Sequence, residues 1–389
     1  MLMPLDQHST PYGWLLTDPD AEAGAIETLP PTPGLQQWTR RQIAEAIGTP
    51  FLPAAKVSVT SESLLDLATL LLPDVASRQA VVRLKDKLAC RQLLLPLFPG
   101  IVAQTVPLHT LPAFPFDPGQ SYVVKPVKGC FGSGVRVVTP GADLHGFVAE
   151  IAAEVERHRA VLSDGVLSAD TLIVEPYIEG EEYAVDMFYD GVGRPIITGI
   201  YHHPMPRNPA YLHLLYATSR ELFAQFYDPL VRFFTAFNRL LGVRSFPIHA
   251  EFRLRNGELV PIEFNPLRFG GMGLANLGYH TLGVNAYRHF LDDTSPDWQH
   301  IWETAPPSVY AFIIAYNGRR AELQTQRPDW PALQRRFSHI HHAVPFDYQR
   351  QLAFGVLYVE EPRERVAELL RLEFDDFFVP ITEMHGLPA

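Results

Sequence analysis

The chain has 389 residues, 47% of them hydrophobic and 19% charged, a balance that fits a soluble globular enzyme of two or three domains. A formal net charge of −11 argues against a nucleic-acid binder held by a basic face, although a few local lysines and backbone amides can still hold phosphate in an acidic protein. No apolar run approaches the roughly 20 residues that span a bilayer. Residues 1–18 lack a basic region followed by an apolar stretch, and Cys90 and Cys130 are too few for a disulfide framework; the expectation is a cytoplasmic protein with no membrane or nucleic-acid partner.

In residues 1–85 the pattern predicts short strands at 13–16 and 56–59, and a helix at 61–72 with Leu64, Leu65, Ala68, Leu71 and Leu72 on one face. No GxGxxG follows either strand, so there is no dinucleotide fingerprint. A second helix is expected over 84–97, with Pro96 near its end. From residue 121 the pattern sharpens. A strand at 122–124 ends at Lys125, a strand follows at 135–138, and a helix then carries Leu144, Phe147, Val148, Ile151 and Val155 on its apolar face. Strands at 172–175, 183–188 and 196–201 come next. Strands on both sides of one helix predict a small α+β subdomain with a mostly antiparallel sheet. A helix within 221–241 precedes strands at 247–254 and 258–264, joined through Asn256 and Gly257. Strands at 309–315 and 352–359 and a helix at 363–372 complete a C-terminal region without a chemical signature of its own.

Residues 125–135 contain glycines at 129, 132 and 134, which let the backbone turn tightly and approach a ligand without a Cβ in the way. Successive free amides in such a loop form an anion nest, and Lys125 and Lys128 add two cations at its entrance. A Walker loop runs strand, loop, helix and ends in Gly-Lys-Ser/Thr. Here the loop joins two strands and lacks that ending, so it reads as a flap over phosphates.

The segment from 246 to 273 concentrates oxygen ligands where a strand ends. His249, Glu251 and Arg253 share one strand face; Glu263 and Asn265 share a face of the returning strand. Whether Glu251 and Glu263 meet depends on the turn. A two-residue Asn256-Gly257 turn puts them on opposite faces of the sheet, whereas a three-residue turn with Gly257 left-handed puts them on one. The hairpin alone decides nothing, but two carboxylates and an amide oxygen suit Mg²⁺ bridging nucleotide phosphates, which favours the three-residue turn.

The two segments, in this order, resemble the ATP-grasp superfamily, particularly carboxylate–amine ligases of the biotin carboxylase, D-alanine–D-alanine ligase and L-amino acid ligase type. The resemblance covers roughly residues 83–300. It implies an α+β or α/β ATP-grasp fold with a glycine-rich lid subdomain over a mixed or antiparallel sheet. The domains implied are an N-terminal substrate-side domain at 1–85, an ATP-grasp domain at 86–304 with its lid at about 110–180, and a C-terminal subdomain at 305–389. Lys87 and Lys125 look like the family's phosphate-contacting lysines, with Lys128, Gly129, Gly132, Ser133 and Gly134 in the lid loop. Glu175, Tyr177 and Ile178 resemble the hinge that holds adenine and ribose through backbone groups, and Glu182 sits where many members bind the ribose hydroxyls. Glu251, Glu263 and Asn265 match the ligands of magnesium or manganese. The family commonly has arginine two residues after the ligand asparagine; Leu267 occupies that place, so Arg268 takes the expected catalytic role beside Lys125.

The activity implied is an ATP-dependent carboxylate–amine ligase that forms an amide or peptide bond through an acylphosphate and releases ADP and phosphate. Its partners would be small-molecule carboxylates and amines, among which an amino acid or small peptide is the commonest, and a homodimer is the family expectation. The alternatives are a phosphotransferase that stops after phosphorylation, and a non-catalytic ATP-binding regulatory protein.

Overall fold

The computed structural model describes residues 13–17, 28–46, 56–128, 134–159 and 168–381. It begins with β1 (Gly13–Thr17), β2 (Leu35–Thr39) and β3 (Lys56–Val59), a parallel sheet in the order β2-β1-β3. β1 and β3 are buried at every position, as parallel strands covered on both faces require. The strands expected at 13–16 and 56–59 are these two.

Helices α1 (Arg40–Ala46) and α2 (Leu65–Leu71) precede a pair, α3 (Val75–Lys85) and α4 (Lys87–Leu94). The single helix expected at 84–97 is instead the junction of that pair. Asp86 leaves the helical region (φ −84°, ψ 107°), ends α3 and caps α4, its carboxylate accepting from the Ala89 N–H at 2.9 Å. The break places Lys87 at the first position of α4, with Arg91 one turn later on the same face.

A four-stranded antiparallel sheet follows, built from β4 (Gln104–Pro107), β5 (Tyr122–Lys128), β6 (Arg136–Val138) and β7 (Ser168–Pro176) in the order β4-β7-β5-β6. Helix α5 (Leu144–Arg159) packs on it, and Val124, Val138, Ile151, Leu172 and Val174 form a small separate core. The antiparallel lid sheet is as expected. The strands expected at 183–188 and 196–201 do not belong to it.

Those residues, β8 (Glu182–Tyr189) and β9 (Pro195–His203), join the central sheet with β10 (Leu215–Thr218), β11 (Phe246–Arg255) and β12 (Glu258–Pro266). The C-terminal residues add β13 (Val309–Tyr316), β14 (Gln326–Pro328), β15 (His339–Pro345), β16 (Ala353–Glu361) and β17 (Phe378–Pro380). β13, β16 and β15 extend the central sheet to eight strands, in the order β12-β11-β8-β9-β10-β13-β16-β15, while β14 pairs with β17. The helix expected at 363–372 shortens to a 3-10 turn at Arg363–Arg365 and one turn at Val366–Leu369.

Helix α6 (Arg220–Leu241) starts at Ser219, whose Oγ accepts from the Leu222 N–H, and stops at Gly242 in the left-handed region. Its apolar face covers one side of the central sheet, with Phe237 stacked 4.7 Å from Phe264 and Phe233 set edge-on 5.5 Å from Phe252. Burying each such ring contributes about 1.5–3 kcal/mol. Because side chains alternate along a strand, the opposite face of β11 is left to His249, Glu251 and Arg253. No helix among the described residues is long and apolar enough to cross a membrane.

Candidate active site

The hairpin of β11 and β12 closes through two residues, Asn256 (φ 53°) and Gly257 (φ 82°), both left-handed, with Arg255 opposite Glu258. The three-residue turn favoured by the chemistry does not form. Next to the turn the register therefore pairs odd with even positions, as far as Phe252 opposite Pro261. There it shifts. Ile262 is left unpaired as a β-bulge, and beyond it Glu251 lies opposite Glu263, and His249 opposite Asn265. Pro261, which has no N–H for the ladder and favours bulges and edges, was the sequence signal for this position.

The bulge is anchored from α4. Arg91 Nη2 donates to the Ile262 carbonyl at 2.6 Å, and the same guanidinium forks onto Glu175 at 2.7 and 3.1 Å. Sequence reasoning missed Arg91, although its position four residues after Lys87 on one helix placed it at the same site.

Glu251, Glu263 and Asn265 line one cavity of about 380 Å³. Burial works against the charge of Glu263, but Lys87, Lys125, Lys85 and Arg268 outweigh it and hold its pKa at about 2. Asn265 Oδ1 is buried without a hydrogen-bond partner. An orphaned acceptor costs about 1–3 kcal/mol, a penalty that a cation would relieve. Among the described residues no three His, Cys, Asp or Glu side chains are grouped to hold a metal ion. Two carboxylates and one amide oxygen nonetheless fit magnesium or manganese, which usually keep water and phosphate oxygens for the remaining positions.

Behind Glu251 stands a pair that sequence reasoning did not single out. His249 Nδ1–H donates to Asp186 Oδ1 at 2.8 Å, and its Nε2 lies 3.7 Å from Glu251 Oε1. Burial lowers the histidine pKa, but hydrogen bonds to Asp186 and Glu251 prevail and raise it to about 9. Asp186, fully buried, also accepts from the Gly270 N–H at 2.7 Å and the Tyr201 hydroxyl at 3.2 Å. It thereby ties β11 to the loop that carries Arg268.

At the other end of the cavity, Lys125 Nζ lies 2.6 Å from Glu175 Oε1. Burial raises the Glu175 pKa, but Lys125 and Arg91 bring it down to about 2. Glu175, Tyr177 and Ile178 all line the cavity, and the Tyr177 N–H is taken by the Ser121 carbonyl at 2.9 Å. Glu182 also lines it and accepts from Arg253 at 2.9 Å and His203 at 2.8 Å. Burial opposes its charge, while these partners keep its pKa below the usual range. Val123, Val135 and Val137 of the lid sheet supply an apolar flank.

Lys87 is buried behind Glu263, 3.6 Å from its Oε1, and is not part of the cavity wall. Burial pushes its pKa down, with Glu263 opposing. Gly134 has φ 70°, and a Cβ there would meet Pro126 at 2.9 Å. Gly129, Gly132 and Ser133 lie outside the described residues, as does the side chain of Lys128.

Leu267 and Arg268 divide the place where the family has its arginine. Leu267 is fully buried in the left-handed region (φ 59°), its N–H donating to Pro247 and its carbonyl accepting from Val59 N–H and Ser58 Oγ. That conformation costs a non-glycine residue about 1–2 kcal/mol. It turns the chain so that the next side chain, Arg268, reaches the cavity, 3.3 Å from Glu62 Oε1.

Residues 119–276 match the ATP-grasp domain family. No curated protein matches the chain by sequence. Among solved structures, an L-amino acid ligase from Bacillus licheniformis superposes on 96% of this chain and 100% of its own, with a TM-score of 0.63 at 16% identity. An N5-carboxyaminoimidazole ribonucleotide synthetase from Thermotoga maritima covers 96% and 100%, with a TM-score of 0.56 at 11% identity. A biotin carboxylase from Campylobacter jejuni, in a β,γ-ATP complex, covers 82% of this chain and 73% of its own, with a TM-score of 0.53 at 14% identity. At these identities the likeness is one of fold. Residues 119–276 of the chain therefore form an ATP-grasp domain.

Proposed function

We propose that the protein is an ATP-dependent carboxylate–amine ligase that forms an amide or peptide bond through an acylphosphate and releases ADP and phosphate. The observation that supports this best is the bulge at Ile262, which brings Glu251 and Glu263 opposite each other beside the unpartnered Asn265 Oδ1. Leaving the Asn265 amide oxygen orphaned beside two facing carboxylates is costly, and a divalent cation removes the cost.

In this reading Glu251, Glu263 and Asn265 hold magnesium or manganese, which supplies charge neutralisation for the transferring phosphoryl group. Lys125 and Lys128 hold phosphates, while Lys87, behind Glu263 and outside the cavity wall, supports the charge of that carboxylate. Ile178 and the lid valines receive the adenine, and Glu182, oriented by Arg253 and His203, receives ribose hydroxyls. Arg268 grips the reacting carboxylate and steadies charge that develops on its oxygens. Residues 1–85 and 305–389 complete the substrate side of the ATP-grasp domain at 86–304.

The test is ADP release over pairs of amino acids, small carboxylates and amines, with AMP measured in parallel and condensed product sought by mass spectrometry. ADP release that needs both substrates, with a condensed product, is expected. Release that ignores the amine identifies a phosphotransferase, AMP contradicts the acylphosphate route, and tight ATP binding without turnover identifies a regulatory protein.

A further inference from the structure

Resting on the reading of Glu182 as the ribose carboxylate, we propose that His203 is a positioning residue that couples nucleotide binding to the loop at 204–213. His203 ends β9, is 1% exposed, and stands behind the cavity wall rather than in it. Its Nδ1 lies 2.8 Å from Glu182 Oε1, and its Nε2 lies 2.9 Å from the Leu212 carbonyl. A carbonyl only accepts, and Glu182 is held ionised by its partners, so both ring nitrogens donate. One imidazolium therefore bridges the carboxylate that receives ribose and the end of the loop. The ring stacks on Tyr216, with centroids 4.2 Å apart and planes 8° from parallel, an arrangement that suits a cation.

Met205, Leu212 and His213 of this loop line the cavity, and Met205 is 55% exposed, which puts the loop at the cavity rim. His213 Nδ1 shares a hydrogen bond of 2.9 Å with the Tyr216 hydroxyl, so the ring that covers His203 is tied to the same loop. The outer side of the loop is fastened to C-terminal residues. Arg207 N–H donates to the Leu370 carbonyl at 2.9 Å, Asn208 Nδ2 donates to Glu373 Oε2 at 2.9 Å, and Tyr211 sits edge-on to Phe374 at 5.0 Å. Pro204, Pro206 and Pro209 restrict the backbone between these anchors. On the cavity side, the bond from His203 to Leu212 is the contact that leads to the nucleotide. Arg253 and His203 already donate to Glu182, and ribose hydroxyls complete its set of donors. Ribose then fixes the carboxylate, the carboxylate fixes the imidazolium, and the imidazolium fixes the loop.

Hydrogen exchange of the 204–213 amides, read by mass spectrometry, tests the coupling. ATP and 2′,3′-dideoxy-ATP are compared at saturation, with no acid or amine substrate present. In wild type, ATP is expected to slow exchange of these amides by roughly 10-fold relative to dideoxy-ATP, the scale of one charge-assisted hydrogen bond. Wild type should also bind ATP roughly 10-fold more tightly than dideoxy-ATP. His203→Gln keeps one amide nitrogen in place of two ring donors. It should bind both nucleotides, discriminate between them by roughly threefold or less, and show equal loop exchange with either. Equal exchange with the two nucleotides in wild type, while ATP remains the tighter ligand, overturns the coupling and leaves Glu182 as the ribose carboxylate. A His203→Gln protein that retains the full wild-type difference in exchange also overturns it. Equal affinity of wild type for the two nucleotides removes the ribose reading and the coupling with it, while ADP release still decides the ligase reading. The wild-type comparison needs no substitution, so it decides the coupling even if His203→Gln does not fold.

Discussion

Glu251 and Glu263 are directly paired across β11 and β12, although the turn joining those strands has only two residues. The unpaired Ile262 reverses the parity that the turn imposes, and its carbonyl is held by Arg91 at 2.6 Å. The pairing of the two glutamates is thus anchored by a residue 171 positions from Ile262 in sequence.

Arg91→Lys tests that dependence. Lysine keeps the charge but loses the fork that serves Glu175 and Ile262 together. Stability should fall by about 1–3 kcal/mol, read from chemical denaturation, with weaker Mn²⁺ binding. Wild-type values for both would mean that the bulge is held without Arg91.

Glu263→Gln removes a charge from the site and leaves the side-chain volume almost unchanged. It should remain folded while losing the stability that the carboxylate's depressed pKa contributes near neutral pH, and it should lose about 10²–10³ in turnover. Steady-state ADP release checks this, and wild-type turnover in a folded variant would remove Glu263 from the metal site.

Glu175 gives a pH signature. Its pKa drops from 4.5 to about 2 in the folded protein, so folding is favoured by its ionised form. A depressed carboxylate contributes stability above its unfolded pKa and loses it as pH falls through the folded value. The contribution amounts to about 3 kcal/mol near neutral pH. The stability gap between wild type and Glu175→Gln should therefore be constant above about pH 5.5 and should close between about pH 4.5 and 2. Urea denaturation across that range measures it; a gap that stays constant to pH 3 would mean that the carboxylate is not held by Lys125 and Arg91.

Asp186→Asn replaces a side chain that accepts three hydrogen bonds, from His249, Gly270 and Tyr201. The amide keeps one acceptor oxygen, so the variant should lose about 1–3 kcal/mol in denaturation and bind Mn²⁺ less tightly. A loss of stability with unaltered Mn²⁺ affinity would make Asp186 a structural residue only.

The sequence made the proposed ligand residues legible because their chemistry is local. Glu251, Glu263 and Asn265 fall within one hairpin, and the shared face of His249, Glu251 and Arg253 follows from strand alternation. What it could not settle was parity, which turns on where one extra residue is inserted. Asn256 and Gly257 satisfy two turn types, and Pro261 marks a bulge only once the pairing is known. Arg91, Glu62 and Asp186 were missed because the contacts that bring them to the site are distant in sequence: Glu175 and Ile262 for Arg91, Arg268 for Glu62, and His249 and Gly270 for Asp186. The helix expected at 84–97 failed for a local reason, since Asp86 is a strong cap inside a run of apolar periodicity.

The most direct test of the metal site is a Mn²⁺ titration by electron paramagnetic resonance in the presence of a non-hydrolysable ATP analogue. Wild type, Glu251→Gln and Glu263→Gln are compared at matched, folded concentrations. Each variant is predicted to bind the ion at least about 10-fold more weakly than wild type, the scale on which metal sites respond even to loss of supporting contacts. Equal Mn²⁺ affinity in all three proteins would contradict the account, because two glutamates brought face to face by the Ile262 bulge would then hold nothing.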